Sequence, residues 1–337
     1  MASIASFGNS LLAPPLPEDF IRFPTTFGTR FLLTVDTEEE FDWAAPFDHQ
    51  SRSVTIIKAM ARGQGFFRAA GVRPVYLTGY PVIDSPAAGP MLADWCAAGE
   101  ADIGAHCHPW VTPPHEEIIS VFNSFTGNLP ESLERAKITV LRDRIGQVTG
   151  RAPLAFRAGR YGIGPNTGTI LRDLGFRVDT SVRSRFSYAK QEGPDFSGLP
   201  VSPWRPGRDR ELIELPLSTA WAGVLGGMGG RLQPALDKGG LAAGLLARSR
   251  LLQRIPLTPE GVTPPEAVRA IDALLGEGVR LLLLSFHSPS LAPGNTPYVR
   301  DASDLEAFYR WWGVVLAHMA RCGVTPVSLD EVIAAAR

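Results

Sequence analysis

The feature that most constrains this chain is an alternation. Apolar runs of strand length are followed, about seven times, by stretches with helical periodicity, a pattern that produces parallel strands joined by crossover helices. "RFLLTVD" at 30–36 leads into a helical stretch through Phe67, and "VRPVYLTG" comes next. "ADIGAH", "LAFRAG", "FRVDTSV", "LIELPLST" and "VRLLLLSFH" continue the series. A helix over 131–149 is expected to turn Leu133, Ala136, Val140, Leu141 and Val148 to one face, and a short helix is expected near 166–174. The end of the chain is the most readable part. Thr263, Pro264 and Glu266 form a capping-box start, Val268, Ile271, Leu274 and Leu275 share a face, and Gly276 and Gly278 stop the helix. A second helix is expected from Ser303, with Glu306 closing its cap and Leu305, Phe308, Trp312, Val315, Leu316 and Met319 aligned before Gly323.

Periodicity alone fits both an open doubly wound sheet and a closed barrel. Residues 1–29 read as an irregular lead-in rich in Pro and Ser, and 30–337 as a single domain without an internal linker. Residues 181–262 are the least readable, and their glycine cluster "GVLGGMGG" reads as a flexible connection.

Charge and composition narrow the function classes. With Lys+Arg 33 against Asp+Glu 34 and a net charge of -1, nothing in the composition suggests nucleic-acid binding or a basic membrane-facing surface. The longest aliphatic run, "VRLLLLSF", is far shorter than the roughly 20 residues of a membrane span. The N-terminus has neither a basic start nor a sustained apolar core, and Cys96, Cys107 and Cys322 form no disulfide framework, so the cytoplasm is the expected compartment.

In parallel α/β proteins functional side chains gather on loops beyond the carboxyl ends of the strands. Here Asp36 and Glu38 follow one strand, and His106 and His108 follow another. Arg157 and Arg160, then Asp179, then His287 follow three more, so five strands deliver polar groups to one rim. Two histidines and a carboxylate make a three-ligand zinc site with a fourth position for water, and a second carboxylate and a further histidine can serve as base and acid. Each piece also has a bland explanation: "TEEEFDW" as a solvated acidic turn, Arg157 as an ion-pair partner, His287 as a satisfied core histidine. His49, His115 and His318 show no partner pattern and read as structural, with His318 on a helix surface. Cys107 is expected to point away from its histidine neighbours as a small buried thiol.

Taken in order over about residues 30–330, "TVDTEEEFDW", "DIGAHCHPW", "FRAGRYG", "VDTSV" and "LLLSFHSPS" resemble the motifs of the polysaccharide deacetylase family, the NodB homology domain of carbohydrate esterases. The resemblance implies a distorted (β/α) barrel with about seven parallel strands. It implies Asp36 as catalytic base, Arg157 as the group that orients it and His287 as general acid. Glu38, His106 and His108 would hold a divalent metal, Zn2+ first among the candidates. Tyr161 would offer a backbone N–H to the oxyanion, and Arg160, Asp179, Trp43 and Trp110 would meet the substrate, with Trp204 a third flat face. The expected reaction is hydrolysis of the N-acetyl group of an acetylated amino sugar, releasing acetate. Two alternatives stand beside it. One is an amide hydrolase, with or without metal, acting on a formamido sugar, a lipid-linked sugar or a cyclic amide. The other is a non-catalytic carbohydrate-binding homologue.

Overall fold

Strand β1 (Thr29–Thr37) is the hub of the sheet. It pairs on one side with β2 (Val75–Thr78) and on the other with β9 (Leu281–His287). The order continues through β3 (Asp102–Cys107), β4 (Ala155–Ala158), β5 (Val178–Asp179) and β6 (Ile213–Glu214), every pairing parallel. The expected set of parallel strands is therefore present, and β10 (Val324–Pro326), which the sequence reading did not single out, pairs with the start of β1 as an eighth. The computed structural model describes residues 10–207, 209–230 and 251–336.

The crossovers are α1 (Ile57–Ala69), α2 (Tyr80–Asp84), α3 (Ala88–Ala97), α4 (Glu131–Thr149), α5 (Thr167–Asp173), α6 (Pro264–Gly276) and α7 (Ala302–Arg321), followed by the terminal α8 (Leu329–Ala335). An antiparallel pair, β7 (Thr219–Ala222) and β8 (Gln253–Pro256), packs on α6. Part of the poorly readable 181–262 region, residues 231–250, lies outside the described residues. Within "GVLGGMGG" the chain makes one 3-10 turn at Gly226–Met228.

Between β6 and β9 the barrel is closed by hydrogen-bonded segments instead of a strand pair. Ser218 N–H donates to Leu283 O (3.3 Å), Leu257 N–H to Ser218 O (3.0 Å), and Ser285 N–H to Leu257 O (3.2 Å). The Ser218 hydroxyl accepts from Leu283 N–H at 2.8 Å. The lead-in is built into the fold as well. Phe20 bridges to Trp204, and Phe23 and Phe27 stack at 4.2 Å, buried with the interior cluster.

Period-two alternation sorts the strand residues into two cores. Phe31, Leu33, Val35, Ile103, Ala105, Phe156, Leu284 and Phe286 face the helices. Leu32, Val75, Leu77, Ala155, Val178, Ile213, Leu281 and Leu283 fill the barrel. Gly104 stands at a tight point of that interior, where a Cβ would lie 2.6 Å from Leu77 Cδ2.

The capping box at Thr263 is present as expected. The next helix starts earlier than expected: its cap is Asp301, not Ser303, because the Asp301 carboxylate accepts the Asp304 N–H. On α4 the buried stripe is Leu133, Glu134, Lys137, Ile138, Leu141 and Ile145, which leaves Ala136, Val140 and Val148 half-buried. A purely hydrophobic reading misplaced that face because two ionisable residues lie on it. Lys137 donates to the carbonyls of Pro109 (2.9 Å), Thr112 (2.7 Å) and Pro114 (2.6 Å) and pairs with Glu117 at 2.9 Å. It thereby fastens the loop that follows His108.

Candidate active site and metal centre

The alternation that fills the lower barrel with aliphatic side chains also builds the site. On β1 the inward positions after Leu32 are Thr34 and Asp36; on β9 those after Leu283 are Ser285 and His287. His106 and Arg157 occupy the matching positions of β3 and β4. Register places Asp36 opposite His287 and His106 opposite Arg157. These residues therefore belong to the strand ends themselves, not to the loops beyond them, which corrects the expectation of loop-borne groups. Cys107, the next residue on β3, falls on the outer face as expected, and burial raises its thiol pKa to about 12.

Asp36 is 1% exposed, and its Oδ1 accepts from Arg157 Nη1. Arg157, also fully buried, donates further to Ser285 Oγ (2.8 Å), Thr34 Oγ1 (3.0 Å), Thr180 Oγ1 (3.0 Å) and Thr180 O (2.9 Å), so its plane is fixed from several directions. Burial by itself would raise the Asp36 pKa. The Arg157 guanidinium, with His106 and His287, outweighs burial and holds the carboxyl below its ordinary range.

Glu38, His106 and His108 converge in a buried group. Glu38 Oε2 is 3.6 Å from His106 Nε2 and 3.4 Å from His108 Nε2. The other ring nitrogens are occupied: His106 Nδ1 faces Arg157 O at 3.2 Å, and His108 Nδ1 faces Glu39 Oε1 at 2.9 Å. Each imidazole can thus carry its proton on Nδ1 and present a bare Nε2 to Glu38. Tetrahedral ligands bound at roughly 2.0–2.1 Å stand about 3.4 Å from one another, close to the separations found here. The charge points the same way. Asp36, Glu38 and Glu39 are all buried carboxylates, of which only Asp36 is bonded to the Arg157 guanidinium, and Glu38 Oε1 has no hydrogen-bond partner among the described residues, an arrangement in which a dication would offset negative charge. The residues fit a divalent metal.

His287 completes the group. Its Nε2 lies 3.7 Å from Asp36 Oδ2, and its Nδ1 lies 2.7 Å from Glu260 Oε2. Glu260 Oε1 accepts from the His287 backbone N–H (3.0 Å) and Ser290 Oγ (2.6 Å), so one carboxylate fixes both ring and backbone. Burial disfavours the imidazolium, but Glu260, Glu38 and Asp36 outweigh it and lift the His287 pKa to about 10.

Asp36, Glu38, His106, His108 and His287 line one cavity of about 250 Å³ together with Arg160, Tyr161, Trp43 and Trp110. Arg160 (φ 53°) and Tyr161 (φ 60°) are consecutive left-handed residues directly after β4, and this turn carries both into the cavity wall. Trp110 is buried and stacks on His108 at 4.2 Å, and Trp43 stands edge-on to His287 at 4.9 Å.

Two expected substrate groups are not brought there. Asp179 lies on the outer face of β5 beside its register neighbour Phe156, accepting from Ser181 Oγ at 2.7 Å. Trp204 is 1% exposed within the core. Asp179 ends a two-residue strand whose inward position is Val178, and Trp204 sits on irregular chain bridged to Phe20 and Glu214. The three histidines read as structural lie outside the cavity lining. His49 Nδ1 faces Trp110 O at 2.6 Å and its ring lies 4.3 Å from that of His115. His318 lies on the surface of α7, where its Nε2 is 2.7 Å from Asp272 Oδ1 on α6 and 3.6 Å from Cys322 Sγ one turn further along.

Sequence reasoning missed Glu39 and Glu260. Glu39 stands in an acidic run three residues past Asp36, beyond the end of β1, where strand alternation no longer marks which residue turns toward the site. Glu260 had no signal, since it sits in an irregular segment.

No family model and no curated protein sequence matches the chain. Solved structures do match. One from Mycobacterium smegmatis, provisionally described as a polysaccharide deacetylase, superposes with a TM-score of 0.50 at 17% identity over 96% of this chain and 94% of that one. Puue allantoinase superposes with a TM-score of 0.53 at 14% identity, covering 95% and 97%. Likeness at these identities is likeness of fold: the chain has the distorted (β/α) barrel of NodB-like polysaccharide deacetylases.

Proposed function

We propose that this barrel is a metal-dependent hydrolase that removes the N-acetyl group from an acetylated amino sugar and releases acetate. One observation carries the reading: a buried Glu-His-His donor set with near-tetrahedral spacing is flanked by an ionised carboxylate and a proton-bearing imidazole in the same cavity.

A divalent cation held by Glu38, His106 and His108, most simply Zn2+, would supply Lewis acidity toward the acyl carbonyl and acidify a water. Asp36, kept anionic by Arg157, accepts the proton of the attacking water at Oδ2, since Oδ1 is tied to the guanidinium. The backbone N–H of Tyr161 faces the developing oxyanion, at the left-handed turn that carries this residue into the cavity wall. His287 delivers its Nε2 proton to the departing amine, while Glu260 holds Nδ1 and so leaves Nε2 to face the reaction. Trp43 and Trp110 border the space where the acyl group and the adjoining sugar ring would sit. No helix among the described residues is long and apolar enough to cross a membrane.

The test is acetate release from N-acetylhexosamine oligomers by zinc-loaded protein, with elemental analysis of the native chain and of His106→Ala and His108→Ala. Stoichiometric metal in the native protein, its loss in both variants, and abolished turnover in Asp36→Asn are expected. Turnover that survives Asp36→Asn, or a native protein without turnover on any acetylated sugar, overturns the proposal.

A further inference from the structure

The metal-site cavity, at about 250 Å³, is below the roughly 300–1,000 Å³ typical of small-molecule sites. It has room for the scissile amide and part of a ring. The remainder of a substrate must extend into a second chamber of about 470 Å³, which shares Trp43, Arg160, Tyr161 and His287 with the first as common walls. That chamber is lined by Arg183, Tyr188 and Tyr298.

Arg183 is held with care and left without a counter-ion. Its guanidinium lies over the Phe186 ring at 4.0 Å and the Tyr161 ring at 5.3 Å, and Nη1 donates to Tyr188 Oη at 3.0 Å. All these partners are neutral. Arg160, on the shared wall, is likewise held by Ser124, Gln191 and the Phe125 ring at 4.1 Å. Neither arginine forms an ion pair with a carboxylate among the described residues. Glu260 lines the same chamber, but its oxygens are taken by His287 and Ser290. A half-buried guanidinium pinned by aromatic rings, with most of its fork of N–H donors unused, is preorganised for the planar or tetrahedral oxygens of an anion.

We propose that the substrate carries an anionic group, a carboxylate or a phosphate, that Arg183 receives in the second chamber while the amide lies beside His287. The proposal rests on the amide-hydrolase reading of the first cavity. Arg160 at the junction adds positive potential along the path between the two chambers.

Calorimetric binding to the full chain tests it without requiring turnover. Three probes share one acetamido sugar: N-acetylglucosamine is neutral, N-acetylmuramic acid adds a carboxylate, and N-acetylglucosamine 6-phosphate adds a phosphate. At least one charged probe is expected to bind about tenfold or more tightly than the neutral one, and the better of the two identifies the anion. Arg183→Gln is expected to shrink that advantage to below about threefold, and Arg183→Lys to retain part of it. Equal affinity for all three probes in the native protein overturns the proposal, as does an Arg183→Gln variant that weakens all three alike. If that variant fails to fold, the native comparison and its loss of preference at high salt decide the matter. Preference for a charged probe without any acetate release would sink the hydrolase reading and leave the anion site standing. Acetate release with no charge preference would do the reverse.

Discussion

Replacing Glu260 by Gln keeps the shape of the site and removes one charge. In the native protein His287 Nδ1 is 2.7 Å from the Glu260 carboxylate, whose side chain is 6% exposed, and the imidazole pKa is lifted to about 10. A hydrogen bond to a charged group contributes about 1.5–3 kcal/mol, and 1.36 kcal/mol corresponds to one pH unit. The amide should therefore lower the midpoint of His287 by about 1–2 pH units. The sign follows from the role: the donor must be protonated, so activity is lost as pH rises through the His287 pKa. At pH 7 both proteins keep the proton and should turn over at similar rates. At pH 9.5, a fall of the midpoint from about 10 to about 8.5 reduces the protonated fraction roughly eightfold. Profiles of kcat/KM against pH are expected to show the alkaline limb displaced downward and the acid limb, governed by Asp36, in place. NMR titration of the histidine ring protons in metal-free protein reads the same displacement without turnover. An alkaline limb that stays within about 0.3 pH unit of the native one would refute the assignment of His287 as the acid held by Glu260.

Glu39→Gln removes the carboxylate behind His108 Nδ1 and is expected to weaken zinc affinity by about 10–100-fold, measured by competition with a chelator. Gly159→Ala would place a Cβ 2.3 Å from His108 Cδ2 and 2.7 Å from Cys107 O, so it should abolish stoichiometric metal while far-UV circular dichroism stays native. Glu134 tests the fold. Burial pushes its carboxyl up to about 7 from an ordinary 4.5, with Thr167 opposing. Between those values the native state holds more proton than the unfolded one, so stability falls as pH rises, by at most about 3 kcal/mol, and is flat above pH 7. Glu134→Gln should remove that slope in urea denaturation at pH 4.5 and pH 8; an unchanged slope would place its origin elsewhere.

The parts of the site that were legible share one physical cause. Asp36, His106, Arg157 and His287 each end an apolar strand, and a strand whose lower residues fill a barrel must aim its last inward residue at the common mouth. Asp179 also ends a strand, yet its parity is opposite: Val178 takes the inward position, and two residues of pairing gave no way to tell the faces apart. Glu260 and Arg183 were illegible because they lie on irregular chain, where position is set by long-range hydrogen bonds and not by period. Lys137 was hidden by the opposite problem. It sits in a clear helix, but its partners are backbone carbonyls, which leave no mark on composition.

The stitched seam of the barrel has a bearing on how activity is assembled. Leu257 is stitched to Ser218 and Ser285, and Glu260 follows it by three residues. The wedge that shuts the cylinder thus also carries the carboxylate that holds His287, the proposed proton donor. A molecule in which this wedge has sprung loose would keep Glu38, His106 and His108 in place at the ends of β1 and β3, which the wedge does not hold, and still capture its ion. It would be a loaded but silent form, and sequestering of zinc without turnover would be its signature.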